Sequence, residues 1–272
     1  MRKRILGSIV SGLVVAALIA LAAPTAGQQA AAAYRGPRTP DGKPNLTGLW
    51  QALTEANWDL EPHAARPGPS QFGALFSEPA GVGVIDGNAI PYKPEATAKK
   101  KEHFAKRWTE DPEAKCYMPG IPRATYMPFP FQIIQSTNTV LMAYEFASAS
   151  RVIKLNDKSK APIPSWMGWA VGRWDGDTLV VDVTDFNDQT WFDRAGNYHS
   201  EALHVTEGYI PKSADLIMYE ATIDDPEVFT HPWTIRVPLH RRLESNAQFL
   251  EFKCVPFSEE LIYGHLRKKA AD

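Results

Sequence analysis

The sequence predicts a mainly β protein, folded as an antiparallel up-and-down barrel or a strongly curled sheet, with one or two short helices. Two observations support this fold class. From Phe131 onward the chain is a succession of extended, alternating segments with short joins such as Thr137-Asn138, Asp175-Gly176 and Ser245-Asn246. Consecutive strands with short joins pair as antiparallel neighbours. A run of about nine or ten such strands favours closure into a barrel, because closure removes exposed edges.

The first part of the chain has the composition of an export signal. Residues 2–4 are basic, residues 9–23 are apolar, and small residues follow them. This order is typical of a secretory signal peptide. The apolar run is short for a membrane span, and no stop-transfer charges follow it. We therefore expect 1–33 to be a signal peptide with its flanking segment, cut within 26–33, and a periplasmic or secreted protein without a stable membrane anchor.

The rest of the chain is expected to form one β-barrel domain, at 34–272. Within it, Pro94 and Glu95 begin a helix, because proline suits the first helical position and an acidic side chain suits the first turn. The lysines of this helix are interpreted as a solvated face.

The prolines of 112–131 exclude helix there, and this rigid segment is expected to wall a pocket or plug the barrel mouth. The expected order is an extended arm at 34–45, a first strand at Leu46–Gln51, an irregular Pro-rich region with one helix at 54–130, a strand meander at 131–255 and a terminal helix at 258–269.

The Asp175-Gly176 pair is the strongest local signal in the chain. It lies between two β-rich runs and predicts a two-residue hairpin, because a type I′ turn needs positive φ at both central positions. The implied register pairs Trp174 with Asp177 and Trp169 with Asp182. One face of the hairpin is then small and apolar. The other face carries Trp169, Val171, Arg173, Thr178, Val180 and Asp182.

The chain has two cysteines, Cys116 and Cys254. In an exported protein two cysteines favour one disulfide bond, and closing so long a loop stabilises by about 4–5 kcal/mol as an upper figure. Two buried thiols are the alternative. The wide spacing without a CxxC pattern does not favour zinc or redox chemistry.

Composition limits the partners. Removal of three basic residues with the signal peptide leaves a formal charge of −5 on a chain that starts at −2, which does not suggest nucleic acid or an anionic membrane as a partner. The 8 Trp, 9 Tyr and 12 Phe supply core, but such rings also line pockets for aromatic ligands. We expect a small hydrophobic or aromatic molecule as the partner, with no cofactor. The oligomeric state is left open.

Polar side chains concentrate in and around the loop expected between Phe186 and Ser200. Such a loop is often merely solvated, but loops on a rigid scaffold also carry function. If the mixed strand faces turn inward, a cavity containing Asp182, His204 and Glu220 results, although the sequence leaves the inward face open. The candidate catalytic residues are His204, Asp193, His199, Asp182, Glu220 and Glu207, and the candidate ligand-binding residues are Trp169, Arg173, Trp191, Tyr126 and Phe131.

Three functions follow from these residues. The first is a cofactor-independent acid–base enzyme of the lyase, isomerase or hydrolase type, acting on a small hydrophobic or aromatic molecule in the barrel cavity. The alternative is a periplasmic protein that binds a small hydrophobe without catalysis. A third, a metal site of His199, His204 and Glu207, needs a bulge or loop at His199, because the two histidines otherwise point to opposite strand faces. We expect no metal.

Several segments together resemble a known group of proteins. They are PRTPDGKPNLTGLW, CYMPGIPR, GRWDGDTLVVDVTDF, TWFDRAGNYHSEALHVTEGY and DDPEVFTHPWT. The chain resembles a widespread family of exported bacterial proteins with a lipocalin-like β-barrel and no assigned activity. The resemblance covers most of the mature chain and implies the fold and export. It brings no catalytic residues.

Overall fold

The computed structural model describes residues 34–70, 77–252 and 254–255. The expected signal peptide and the expected terminal helix at 258–269 lie outside the described residues. Within the described ranges, no helix is both long and apolar enough to span a bilayer.

The described chain is mainly β, and nine strands close into a barrel, which confirms the predicted fold class. Each strand pairs with its neighbours in chain order, and the ninth strand pairs with the first. The pairs are antiparallel except for one, because residues 156–168 carry the chain back along the barrel between the fourth and fifth strands. The elements are β1 Gly48–Ala52, α1 Thr97–Glu110, α2 Arg123–Tyr126, β2 Phe131–Gln135, β3 Thr139–Tyr144, β4 Ser150–Leu155, β5 Trp169–Asp175, β6 Thr178–Thr184, β7 His204–Ser213, β8 Leu216–Asp224 and β9 Trp233–Arg241.

Three segments differ from the expected elements. Residues 34–45 turn back at a β-bridge between Arg38 and Pro44 and do not form an extended arm. The sequence predicts a strand over Gln248–Cys254, but β9 is the last strand and the chain from 247 to 252 is irregular. The prolines were expected to exclude helix from 112–131, but α2 forms one helical turn there. This turn lies between Pro122 and Pro128, so no proline falls inside it.

The predicted hairpin forms, with its turn one residue later than predicted and its strand pairing therefore shifted by two residues. Asp175 pairs with Thr178 and Arg173 with Val180, so Gly176 and Asp177 are the two turn residues. Gly176 takes the first of these positions with φ of 57°, which suits the glycine of a type II′ turn. The shift leaves the shared faces unchanged, and the small apolar face is the one that turns inward.

The barrel interior is filled by side chains. Its lining residues have no accessible surface on nearly every strand, whereas a cavity that admitted water would leave its walls accessible. Barrels of about this strand number either fill their interior or enclose one small ligand. This barrel does the former. The lining includes Ile133, Val140, Ile153, Val181, Val205, Ile217, Tyr219, Ile235 and Val237.

One ion pair lies inside this packed interior. Arg151 on β4 donates to both carboxylate oxygens of Glu207 on β7, at 2.6 and 2.9 Å. The hydroxyl groups of Tyr219 and Tyr209 donate to the same carboxylate at 2.8 and 3.0 Å. Burying a charge is costly unless it is paired and hydrogen-bonded, and Glu207 meets both conditions.

One end of the barrel is closed by a plug built from residues 53–70, 77–130, 185–203 and 225–232. All four residues of α2 are buried, and the Tyr126 hydroxyl group donates to the carbonyl oxygen of Phe192 at 2.8 Å. Phe192 and Phe229 both pack edge-on against Trp233. The proline-rich segment therefore plugs the barrel mouth, as the sequence predicts.

A buried polar network joins the parts of the plug. The Arg123 guanidinium donates to both oxygens of Asp111, at 2.8 and 2.9 Å, to Glu113 at 2.7 Å and to Asn57 at 2.9 Å. Arg194 donates to both oxygens of Glu113, at 2.8 and 2.7 Å. Four stretches of chain are thus held by charge-assisted hydrogen bonds, which are stronger than neutral ones.

The predicted disulfide bond is present. Cys116 and Cys254 are bonded, with their Cα atoms 5.5 Å apart. The bond attaches the segment that follows β9 to the plug. Near it, the Leu250 amide donates to Glu145 and the ring of Phe252 packs against Phe129.

Candidate functional site

Two pockets lie beside α1, where this helix packs against the other parts of the plug. The larger has a volume of about 320 Å³ and the smaller about 220 Å³. Asp59, Glu61, Pro62, Arg66, Lys100, Lys101 and Phe104 line the larger one. Lys99, His103, Glu110, Pro112, Lys115, Tyr117, Asp188, Gln189 and Trp191 line the smaller one, here called the Trp191 pocket.

A pair of stacked rings forms one wall of the Trp191 pocket. The His103 and Trp191 ring centroids are 4.4 Å apart and the ring planes differ by 15°, while Tyr198 meets His103 edge-on at 5.1 Å. Gly196 permits this close packing. A Cβ atom there would lie 2.7 Å from the Cβ of His103, and the φ of Gly196 is 83°, a conformation that glycine adopts without penalty.

The imidazole of His103 is neutral at neutral pH. Burial lowers its pKa below the usual value, and the charge of Lys99 lowers it further. A hydrogen bond with the Gly196 backbone acts in the opposite direction. Because His103 lines the Trp191 pocket, its ring is a group that a bound molecule can meet.

Three of the candidate catalytic residues lie on the outside of the barrel. The Nε2 atom of His204 is 3.4 Å from Asp182, and Glu220 accepts a hydrogen bond from Arg236 at 3.0 Å. The arrangement in which Asp182, His204 and Glu220 share an interior cavity is therefore wrong. The reason is that the apolar alternate positions of these strands face the core. Their catalytic role itself stays a prediction.

The exposure of His204 predicts how much its side chain contributes to the free energy of unfolding. Its side chain is 44% exposed, so His204→Ala should change the free energy of unfolding by less than about 0.5 kcal/mol, as is usual for surface positions. His199→Ala is the buried contrast and should cost about 1–3 kcal/mol, because it leaves buried partners unpaired. Urea unfolding of both variants measures the two values. A cost above about 1 kcal/mol for His204→Ala would contradict the exterior placement.

His199 is held inside the plug by both ring nitrogens. Its Nδ1 lies 2.9 Å from the carbonyl oxygen of Ser200 and its Nε2 lies 2.6 Å from the Thr190 hydroxyl group. Because a carbonyl oxygen only accepts, Nδ1 carries the proton and Nε2 accepts from Thr190. Burial lowers the pKa of His199, which agrees with a neutral ring. Glu207 is likewise engaged, in the ion pair with Arg151.

Asp193 is fully buried next to Asp59. It accepts hydrogen bonds from the backbone amides of Leu60 and Asn197, at 2.9 and 3.1 Å, and from the Asn197 side chain at 2.6 Å. Burial first, and then the charge of Asp59, raise the pKa of Asp193 to about 7. The three donors oppose this shift without cancelling it, so Asp193 exchanges a proton near neutral pH.

This shift predicts a pH dependence of stability. The pKa of Asp193 is raised in the fold, so its contribution is fully present below the ordinary value of 3.8 and is lost as pH rises through about 7. One such group changes the free energy of unfolding by at most about 1.4 kcal/mol per pH unit. Asp193→Asn should therefore flatten the decline between pH 5 and 8 in urea unfolding. Asp224→Asn, at the exposed end of β8, should leave it unchanged. An equal decline with Asn at 193 would contradict the assignment.

The candidate ligand-binding residues also lie in different parts of the fold and do not form one site. Trp191 lines the smaller pocket, and it is the only predicted site residue that lines either pocket in the described part of the chain. Tyr126 and Phe131 are fully buried in the plug and the barrel. Trp169 and Arg173 lie outside, where Trp169 donates to the Ser159 carbonyl oxygen and Arg173 to Asp182.

Three of the pocket residues that the sequence interpretation missed are on α1. Lys99, His103 and Glu110 are spaced by four and seven positions, so they share one helix face, and this face borders the Trp191 pocket. The spacing is visible in the sequence. Because lysines dominate the helix, the sequence interpretation treats this helix face as solvated.

No group of three or more His, Cys, Asp and Glu side chains among the described residues is arranged to hold a metal ion. In the metal hypothesis, His199, His204 and Glu207 would meet. Instead His199 lies in the plug, His204 on the outer face of β7 and Glu207 on its inner face.

Comparison of the chain with protein-family models, with curated proteins and with solved structures finds no match. The closed nine-stranded barrel is consistent with the lipocalin-like fold that the resemblance implies, and membership of that family stays a hypothesis.

Proposed function

We propose that the protein binds a small planar molecule, a single aromatic ring with polar substituents, in the Trp191 pocket. The observation that carries this proposal is the stacked pair of Trp191 and His103, which borders a pocket of about 220 Å³. An apolar cavity of roughly 150 Å³ is enough to hold a benzene ring. The pocket volume therefore suits one ring with a few substituents.

The rim of the pocket supports a polar substituent. Lys99 and Lys115 contribute positive charge, and Glu110 and Asp188 contribute negative charge. Small-molecule sites typically combine flat apolar walls with a few placed polar groups. The filled barrel interior is compatible with this location, because the Trp191 pocket lies outside the barrel core.

Ligand-observed NMR with simple rings tests the proposal. The probes are benzoate, 4-hydroxybenzoate and phenol, with cyclohexanecarboxylate as the non-aromatic probe. At least one aromatic probe should bind, and Trp191→Leu should weaken its binding at least tenfold, because half of the stacked wall is lost.

Trp169→Phe is the matched control, since it changes a tryptophan on the outer face of the barrel. It should leave binding within twofold of the unchanged protein. Binding that survives Trp191→Leu, or binding of cyclohexanecarboxylate as strong as that of benzoate, would contradict an aromatic site at this pocket.

A second candidate function is cofactor-independent acid–base catalysis at the same pocket. The observation that favours it is His103, which lines the pocket and whose pKa is lowered by burial, so that a neutral imidazole is favoured. A neutral imidazole within reach of a bound molecule can accept a proton from carbon beside a carbonyl group and return one. This assigns the base to His103 in place of His204.

Deuterium exchange separates catalysis from binding. In D₂O, an acid–base catalyst should speed the replacement of hydrogen by deuterium at the carbon between the ring and carbonyl of phenylacetone, followed by proton NMR. His103→Gln should abolish this acceleration while a bound aromatic probe still binds. Exchange at the rate of buffer alone would leave binding as the function of the pocket.

A further inference from the structure

The first described residues fold against the turn between β5 and β6. Residues 34–45 are not extended, since Arg38 and Pro44 form a β-bridge across a tight turn. Tyr34 is only 8% exposed, and the guanidinium carbon of Arg38 lies 5.5 Å from the centre of its ring. The position of the Tyr34 backbone nitrogen is therefore fixed by packing.

Asp177, in the turn between β5 and β6, is the hydrogen-bond acceptor for this nitrogen. Its carboxylate accepts hydrogen bonds from both terminal nitrogens of Arg38, at 2.8 and 3.0 Å, and from the Tyr34 nitrogen at 3.3 Å. Arg38 also donates to the Tyr34 carbonyl oxygen at 3.1 Å. The hydrogen bond from Arg38 lowers the pKa of Asp177, so an ionised carboxylate faces the start of the folded arm.

The sequence before Tyr34 allows this nitrogen to become a chain terminus. Residues 30–33 are four alanines, and small residues at the last and third-last positions are what a signal peptidase requires. Small residues at 25–27 would allow an earlier cut. A chain that begins at Tyr34 gives the Asp177 carboxylate an α-ammonium group with a positive charge and three donors, whereas a chain cut earlier gives it a peptide N–H with one donor.

We propose that the exported chain is cut between Ala33 and Tyr34, and that the new α-ammonium group of Tyr34 pairs with Asp177. A signal peptidase hydrolyses the peptide bond, and water supplies the hydroxyl group of the Ala33 carboxyl and the hydrogen of the Tyr34 amine. The cut precedes folding, so the burial of Tyr34 does not hinder it. The proposal rests on the export expected from the sequence and is independent of ligand binding.

Intact mass and N-terminal sequencing test the cut. The full chain is expressed in an exporting bacterial host and recovered from the periplasm. The expected first residue is Tyr34. A mature chain that begins between residues 27 and 33, or a periplasmic protein that retains Met1, overturns the proposal.

Labelling of the α-amine tests the pairing. A chain beginning at Tyr34 and a matched chain retaining Ala33 are each released from a fusion, with and without Asp177→Asn. Pairing with a carboxylate raises the pKa of the amine, and each unit lowers the reactive neutral fraction about tenfold.

At pH 7, Asp177→Asn should therefore speed labelling about tenfold in the chain that begins at Tyr34, and less than twofold in the chain that retains Ala33. Peptide mapping of the labelled chains distinguishes the α-amine from lysines. An unchanged rate in the Tyr34 chain, or the same increase in both chains, overturns the pairing.

Discussion

Arg123→Met is expected to lower the free energy of unfolding by about 3–5 kcal/mol, the usual cost of removing one partner from a buried ion pair. Arg123 is 1% exposed and holds Asp111, Glu113 and Asn57 at once. Methionine has a similar volume but donates no hydrogen bond, so the carboxylates of Asp111 and Glu113 lose a buried cation. Urea unfolding at pH 7 measures the loss.

The same variant should respond differently to acid. Burial alone would raise the pKa of Glu113, but the charges of Arg194 and Arg123 outweigh it and lower the pKa to about 2. A lowered pKa contributes stability that is present above the ordinary value of 4.5 and is lost as pH falls toward 2. Without Arg123 part of this contribution is missing, so the difference from the unchanged protein should be larger at pH 7 than at pH 3.

Arg173→Met is the matched control for this change. Arg173 also pairs with an aspartate, Asp182 at 2.6 Å, but its side chain is 54% exposed. Exposed pairs contribute about 0–1 kcal/mol, so this variant should unfold nearly as the unchanged protein does. Similar losses at 123 and 173 would contradict the view that the buried network holds the plug together.

Glu207→Leu is the second change with a large expected effect, again about 3–5 kcal/mol in urea unfolding. It leaves Arg151 as an uncompensated charge inside the barrel, and it removes the acceptor of Tyr219 and Tyr209. No relaxation brings water to these groups while the barrel stays closed, since Tyr209 and Tyr219 have no accessible surface.

A double variant at Arg151 and Glu207 distinguishes the cost of an uncompensated buried charge from the cost of lost packing. Replacing Arg151 by Met together with Glu207→Leu removes both charges, and buried ion pairs replaced by apolar residues of similar size are often tolerated. The double variant should therefore be more stable than Glu207→Leu alone. Losses that simply add would show that the pair acts through packing, and the uncompensated-charge explanation would fail.

Much of the barrel follows from the sequence, because alternation and short joins are local signals. The turn near Asp175-Gly176 and the shared hairpin faces are of this kind. The turn lies one residue later than predicted, which shifts the strand pairing by two residues and so leaves the faces unchanged. Which face turns inward is not a local property. The mixed face of Trp169, Arg173 and Asp182 and the apolar face of Leu179, Val181 and Val183 are both compatible with one strand, and only closure decides between them.

The pocket is harder to predict for a related reason. Trp191 and His103 are far apart in the chain, and their stacking depends on how α1 lies on the plug. The sequence groups Asp193, His199, His204 and Glu207 by nearness in the chain, and Asp182, His204 and Glu220 by the mixed strand faces. In strands, however, neighbours in sequence point to opposite sides, so Glu207 and His204 end on opposite faces of one strand.

The insertion of most of the plug between β1 and β2 has a consequence for folding kinetics. β1 pairs with β2 and with β9, but residues 53–130 separate it from the first and nearly the whole barrel separates it from the second. Contacts between distant segments form slowly, because the entropy of loop closure is lost before the contact is gained. The meander from β2 to β9 can assemble through its short joins, and β1 then closes the ring as the late step.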